Sequence, residues 1–150
     1  MVELVLIGPL VQSYIVYSAI LALKLLLLSP MTAVARVTRG VFANPEDAKA
    51  LERKVKFGDS VVERIRRAHL NDLENIPVFW ILGALYITTK PATAWAVLLF
   101  RVFTAARVLH TLVYALYPVP QPARAIAFGV AMVVNVYMAF QVVLYYVTAL

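Results

Sequence analysis

Three stretches of the chain are apolar over the length of a membrane span and a fourth is apolar over half of it, and the polar positions inside them can be followed singly. The first runs from 4 to 36. Its apolar part, Leu4 to Leu28, carries one charge, Lys24, near one end, where a long stem lets the ammonium reach the interface. Gly8 and Pro9 either sit in its first turn or kink it, and the helix is expected to continue through MTAVARVTRG to Arg36 or Arg39. The second span, 61–88, has a charged first half and an apolar second half, Ile76 to Ile87. Asp59 or Ser60 is the expected cap at its start. The third, 92–116, follows a turn at Pro91 and is interrupted by Arg101, Arg107 and His110. Pro118, Pro120 and Pro122 end it, and the fourth span, 123–147, holds Arg124 in its first turn and Asn135 and Gln141 further on. The long polar segment is the loop 38–60, where NPED (Asn44 to Asp47) reads as a turn into a helix with acids in its first turn. Tyr14, Tyr17, Tyr86, Tyr145 and Tyr146 lie near span ends, as interfacial aromatic belts do.

Composition fixes the class. The chain is 63% hydrophobic and 15% charged, with a mean hydropathy of +0.82, against about 45–50% and about 25% in soluble domains. The expected fold is all-α: one integral membrane domain, residues 1–150, built as a four-transmembrane-helix bundle. Met1-Val2-Glu3 lacks the basic region of a cleaved signal peptide, so the first span is expected to be retained. With no cysteine there is neither a disulfide nor a thiolate metal site. The net charge of +6 points only weakly to nucleic acid, because no soluble basic domain can be outlined. Membrane orientation explains it better. Nine of the fourteen basic residues lie between Arg36 and Arg67, which puts that loop in the cytosol and both termini on the other side.

The second span must then explain its ionisable groups, since such groups inside a membrane protein face the bundle interior or a wet cavity. Its apolar run is about half the ~20 residues a span needs, so part of its polar half must sit at membrane depth, covered by protein. On a helix Arg67, Asn71 and Glu74 line one side with Arg64 a turn below, while His69 and Asp72 point elsewhere. Arg107, His110, Thr111 and Tyr114 make a second stripe on the third span. Arg36, Arg67, Arg107 and Arg124 each lie toward the cytosolic end of one helix, which suits an anionic ligand gripped bidentately. Glu74, Asn71 and Tyr114 add recognition of an ammonium, an amide or a backbone, so a small zwitterion with more negative than positive charge fits. The plainer alternative is that these groups snorkel or pair: Arg67 with Glu74, Arg64 with Glu63, Arg66 with anionic lipid. His69 and His110 have no carboxylate or second histidine at zinc spacing, so no metal site is expected and a hydrogen-bonded histidine is the better reading. Asp47 reads as a helix-terminal acid rather than a base, and Asn135 and Gln141 as interhelical hydrogen-bond formers.

Four blocks, VFANPEDA (Val41 to Ala48), ERIRRAHLNDLENIPVF (Glu63 to Phe79), ARVLHTLVY (Ala106 to Tyr114) and PVPQPARAIAF (Pro118 to Phe128), together resemble the MAPEG family of membrane proteins in eicosanoid and glutathione metabolism. The glutathione transferase branch is the most similar, the prostaglandin E synthase branch next. The resemblance implies a homotrimer of four-helix subunits in the endoplasmic reticulum, or else the outer mitochondrial membrane, with glutathione as co-substrate between neighbouring subunits near the cytosolic side. It implies conjugation of the glutathione thiolate to hydrophobic electrophiles and reduction of lipid hydroperoxides. The alternatives within the family are a prostaglandin E synthase-like isomerase and a non-catalytic lipid-binding scaffold. The implied glutathione contacts are Arg36, Arg66, Arg67, His69, Asn71, Glu74, Arg107 and Tyr114, with Arg124 as the catalytic group holding the thiolate. Two positions depart from the family pattern. The prostaglandin branch has a serine where this chain has Ala125, which weakens that reading. A mammalian transferase has a reagent-sensitive cysteine where this chain has Ala48, so activation by thiol reagents should be absent.

Overall fold

A computed structural model describes residues 8–148. The part of the first span at residues 4–7 lies outside them. Gly8 and Pro9 open α1, Pro9–Arg39, Pro9 standing in the first turn where its missing N–H is no loss. The helix ends at Gly40, whose φ of 61° is the left-handed conformation a glycine adopts without strain. Val41 N–H then closes on the Arg36 carbonyl at 3.0 Å. After α2, Pro45–Ala50, with Glu46 and Asp47 in its first turn, come α3, Ser60–Thr88, and α4, Thr93–Thr111. A π-helical turn, Leu112–Leu116, continues α4, and the last helix is α5, Ala123–Val147.

Among these, α1, α5 and the continuous Thr93–Leu116 are long and apolar enough to cross a membrane. The charged first half of α3 sets it apart, but its apolar half, Ile76 to Ile87, packs with the others. α1 lies against α3 and α4, and α5 against α4 and α3. One apolar cluster joins Leu21, Ile76, Phe79, Phe100, Phe103, Ala131, Val134 and Met138. Within it Phe79 stacks on Phe103 with centroids 4.2 Å apart and meets Phe100 edge-on at 5.7 Å. A Cβ on Gly83 would lie 2.8 Å from the Tyr14 ring, so this close crossing of α1 and α3 needs glycine. A second cluster, Leu28, Ala35, Val62, Ile65, Ala68 and Ala115, fills the other end.

Between the two clusters lies a charged layer. Lys24, Asp72 and Arg107 fall between the two sets on α1, α3 and α4 respectively. Lys24 does not snorkel: its side chain is 11% exposed and its ammonium donates to Asp72 Oδ2. Position in the helix is the reason. Lys24 is the sixteenth of the thirty-one residues of α1, counting from Pro9, and so stands at its middle. Tyr86 also turns inward, 3% exposed, against Tyr137, whereas Tyr145 and Tyr146 stay at the surface. Asn135 does bridge helices, donating to the Asn75 carbonyl at 3.3 Å.

Asp59 caps α3. Its carboxylate accepts from Val61 and Val62 N–H at 3.0 and 3.1 Å and lies 3.6 Å from Arg39 Nη1. The Val62 amide, the largest influence, together with the Val61 amide, Arg39 and Lys56, holds its carboxyl below the usual range, outweighing an opposing desolvation second only to the Val62 amide. A depressed folded-state pKa stabilises above the unfolded pKa of about 3.9 and loses that contribution as pH falls through the folded value. Asp59→Ala should therefore lower the melting temperature in detergent by a few degrees at pH 7, a gap that narrows below about pH 4. Equal gaps at pH 7 and pH 3 would remove Asp59 from the acid response.

Candidate functional site

The π turn shapes the site. Tyr117 N–H reaches back five residues to the Leu112 carbonyl at 2.8 Å. Pro118 follows and has no N–H to extend the helix, and it restricts the conformation of Tyr117. Widening one turn re-aims its side chains, as such turns do at functional sites. Here it brings the Tyr114 ring between two arginines. Arg67 Nε donates to the Tyr114 hydroxyl at 3.1 Å, and the Arg124 guanidinium carbon stands 4.5 Å from the ring centroid. His110 meets the same ring edge-on at 5.5 Å.

These groups line a cavity of about 540 Å3 between α3, α4, the π turn and α5, with Asn71, Glu74 and Gln121 adding polar wall and Leu70, Ala125 and Phe128 apolar wall. Five of the nine residues singled out by sequence, Arg67, Asn71, Glu74, Tyr114 and Arg124, thus face one space. Among the described residues no ion pair joins Arg67 to Glu74. Glu63 pairs with Arg66, both oxygens at 2.9 Å from Nη1, and not with Arg64. On a helix Arg66 stands one turn after Glu63, whereas Arg64 is adjacent and faces elsewhere.

Three more of the nine, Arg36, Arg66 and His69, line a separate cavity of about 320 Å3 between α1 and α3. Leu70, 53% exposed, forms the ridge that borders both cavities. Arg107 is in neither. It is fully buried beneath the larger one, where Nε donates to Asp72 Oδ1 at 2.9 Å, Nη2 also meets that oxygen, and Nη2 reaches Asn71 Oδ1 at 2.8 Å. Thr111 Oγ1 donates to Asp72 Oδ2 at 3.2 Å. The stripe on α4 is therefore divided: Arg107 and Thr111 bind Asp72, His110 and Tyr114 face the cavity. Because Arg107 takes the Asn71 oxygen, the Asn71 amide N–H groups are what remains for a ligand.

Sequence reasoning missed Asp72 and Lys24 as partners, and Gln121 as part of the wall. A lysine midway along a long apolar helix was the available signal for the first pair. Gln121 lies inside the proline run, and nothing in its spacing marks it. Ala125 lines the cavity, and Ala48, on α2, is 2% exposed.

The MAPEG family profile matches residues 14–144, from α1 into the last turns of α5. Microsomal glutathione S-transferase 1 of Homo sapiens is 47% identical over 130 residues, covering 83% of each chain. The protein of that name from Rattus norvegicus is 46% identical over the same share of both. Prostaglandin E synthase of Bos taurus is 34% identical over 138 residues, 91% of this chain and 89% of that one. The family match and all three relatives span most of the chain, and the chain belongs to the MAPEG family.

Proposed function

We propose that this protein is a membrane-bound glutathione transferase. The observation that carries the reading is the larger cavity, where two guanidiniums without carboxylate partners and one carboxylate without a cation, among the described residues, face the same space. Glutathione has two carboxylates, one ammonium and a thiol that reacts as thiolate. Its size also suits the spacing. Glu74 and Arg67 are seven residues apart on α3, about 10 Å along a helix, and an extended tripeptide spans roughly 10 Å. Glu74 would take the ammonium, Arg67 a carboxylate, Asn71 and Tyr114 the backbone, and Arg124 the sulfur. The thiolate attacks an electrophilic carbon, the C–S bond forms, the leaving group departs with its electron pair, and the thiol proton goes to water. With a hydroperoxide acceptor, two glutathiones would give the alcohol, water and the disulfide. The relatives named as glutathione transferases support this reading over the prostaglandin E synthase-like alternative, and Ala125 in the cavity wall agrees. A non-catalytic scaffold would have no use for the free guanidiniums. Purified protein should form a glutathione conjugate of a chlorinated nitrobenzene, and no conjugate would overturn the proposal.

Arg67→Ala should weaken glutathione binding roughly ten- to hundredfold, the loss of one charge-assisted hydrogen bond. Calorimetry showing unchanged affinity for a folded variant would remove Arg67 from the site.

The assembly we propose is a homotrimer of one-domain, four-span subunits, with α3 as the fourth span. Both cavities are open, and the α3 ridge between them continues as an exposed apolar stripe through Leu70, Leu73, Ile81 and Leu85. A neighbouring subunit covering that stripe would bring Arg36, Arg66 and His69 of one copy toward Arg67 and Arg124 of the next. Chemical cross-linking in membranes should give a three-subunit limit, and a dimer limit would sink the trimer.

We place the protein in the endoplasmic reticulum, with the outer mitochondrial membrane as the second site, and residues 38–60 in the cytosol. In sealed vesicles protease should cut at Lys54 or Lys56 without detergent, and protection there would reverse the orientation.

A further inference from the structure

A second space adjoins the larger cavity toward the loop end of the bundle. It holds about 460 Å3, shares Arg67, Tyr114, Gln121 and Arg124 with its neighbour, and adds Ser60, Arg64 and an apolar wall of Val113, Pro118 and Val119. Among the described residues no carboxylate lines it. Arg64 is its unaccounted group. The Nε of Arg64 is buried and has no hydrogen-bond partner, and no ion pair reaches its guanidinium among the described residues. Both nearby carboxylates are engaged: Glu63 holds Arg66, and Asp59 holds the first amides of α3 and lies beside Arg39. A buried guanidinium N–H without an acceptor is costly, and a guanidinium so placed calls for an anion.

That anion is not part of glutathione as placed above. Glutathione stretched from Glu74 ends near Arg67, and Arg64 is three residues further, about 4.5 Å along the helix. Its thiolate, held by Arg124, would sit at the opening shared by the two spaces.

Resting on the proposed transferase reading, we propose that the Arg64 space is a subsite for a carboxylate on the acceptor. The enzyme would then prefer amphipathic anionic electrophiles, with the reactive carbon at Arg124 and the acid at Arg64. The apolar wall of Val113, Pro118 and Val119 carries the segment between them. The position fits such a molecule, because an amphipathic acid in a bilayer keeps its carboxylate at the water boundary. The reaction is unchanged by the added group. For a chloronitrobenzoate the thiolate attacks the carbon bearing chlorine, the C–S bond forms, the C–Cl bond breaks, chloride leaves with the electron pair, and the carboxylate stays ionised throughout.

A lipid headgroup phosphate is the other anion that could reach Arg64, and the test separates the two. Full-length protein in phosphatidylcholine nanodiscs is assayed with 4-chloro-3-nitrobenzoate and with its methyl ester, at saturating glutathione. In Arg64→Leu, KM for the acid should rise about tenfold or more relative to the ester, with glutathione KM moving less than about twofold. Arg64→Lys should recover part of the acid preference. Arg64→Gln, which keeps N–H donors without charge, should lose it as the leucine variant does and serves if that variant does not fold. An unchanged acid-to-ester ratio in these variants would assign Arg64 to lipid and overturn the subsite. A glutathione KM that rises as far as the acid KM would assign Arg64 to glutathione and overturn it too. A wild type that conjugates neither compound is a failure of the transferase reading itself, and the subsite falls with it.

Discussion

Asp72→Leu should remove most of the folded protein from the membrane fraction. Asp72 is fully buried and accepts from Lys24 Nζ, Arg107 Nε and Nη2, and Thr111 Oγ1. Replacing it leaves two buried cations with no counter-charge. Removing one partner of a buried ion pair costs about 3–5 kcal/mol, out of a total stability of about 5–15 kcal/mol. The three positions should differ sharply. Lys24→Met leaves Asp72 with Arg107 and Thr111, a complete pair, and replaces the buried lysine stem by an unbranched apolar side chain. Its effect should be small. Arg107→Met also releases the Asn71 oxygen, so it should weaken glutathione binding as well as stability. The measurement is the monodisperse fraction on size-exclusion chromatography after detergent extraction, followed by thermal melts. If Asp72→Leu and Lys24→Met melt together, the charged layer is not what fastens α1, α3 and α4.

The same layer marks the limit of what the sequence discloses. Local signals are legible where the physics is local. α5 runs from Ala123 to Val147 because a proline run precedes it and, after Arg124 in its first turn, only Asn135 and Gln141 interrupt its apolar and aromatic residues strongly. Gly40 and Asp59 terminate helices through their own backbone and side-chain chemistry. Arg67, Asn71 and Glu74 share a cavity because helical periodicity alone puts them on one face. The pairing of Lys24 with Asp72 spans 48 positions and depends on how α1 crosses α3. A lysine in an apolar run looks the same whether it snorkels or is buried, until the helix is known to extend fifteen residues past it to Arg39. Spacing puts Arg107 on the polar stripe with His110 and Tyr114, and the family resemblance implies a ligand contact for it, yet Asp72, one position from Asn71, competes for it with a full charge in a place that water does not reach. The π turn is also invisible to a 3.6-residue period, and it decides that Tyr114 lies between Arg67 and Arg124.

Arg124→Leu should lower turnover about 10²–10³-fold at pH 7, the range seen when one donor to a developing anion is removed, with glutathione affinity changed less. A free thiol has a pKa of roughly 8.5 and is mostly protonated at pH 7, and only the thiolate attacks. A transferase must therefore stabilise the anion, and each unit of pKa shift corresponds to about 1.4 kcal/mol. Arg124 is placed to do this. It stands in the first turn of α5, where the partial positive charge of the helix N-terminus adds to its own. No carboxylate pairs with it among the described residues, so its charge is not already spent. The Tyr114 ring beneath it fixes the guanidinium, and Arg67 fixes the Tyr114 hydroxyl, so the cation is oriented before the ligand arrives. The sign of the pH effect follows. If Arg124 holds the sulfur as proposed, the bound thiol should ionise below its solution pKa. Without it the pKa returns upward, so the pH–rate midpoint moves to higher pH and part of the lost rate comes back in alkaline buffer. The ultraviolet difference absorbance of bound thiolate should fall in parallel at pH 7. Arg124→Lys should keep some thiolate, since it retains charge, but less than wild type because a flexible ammonium is not held on the ring in the same way. A leucine variant with the wild-type thiolate signal and pH profile would take Arg124 out of the chemistry. Arg67, which shares Tyr114 with it, and then Arg36 would be the next cations to test against the sulfur.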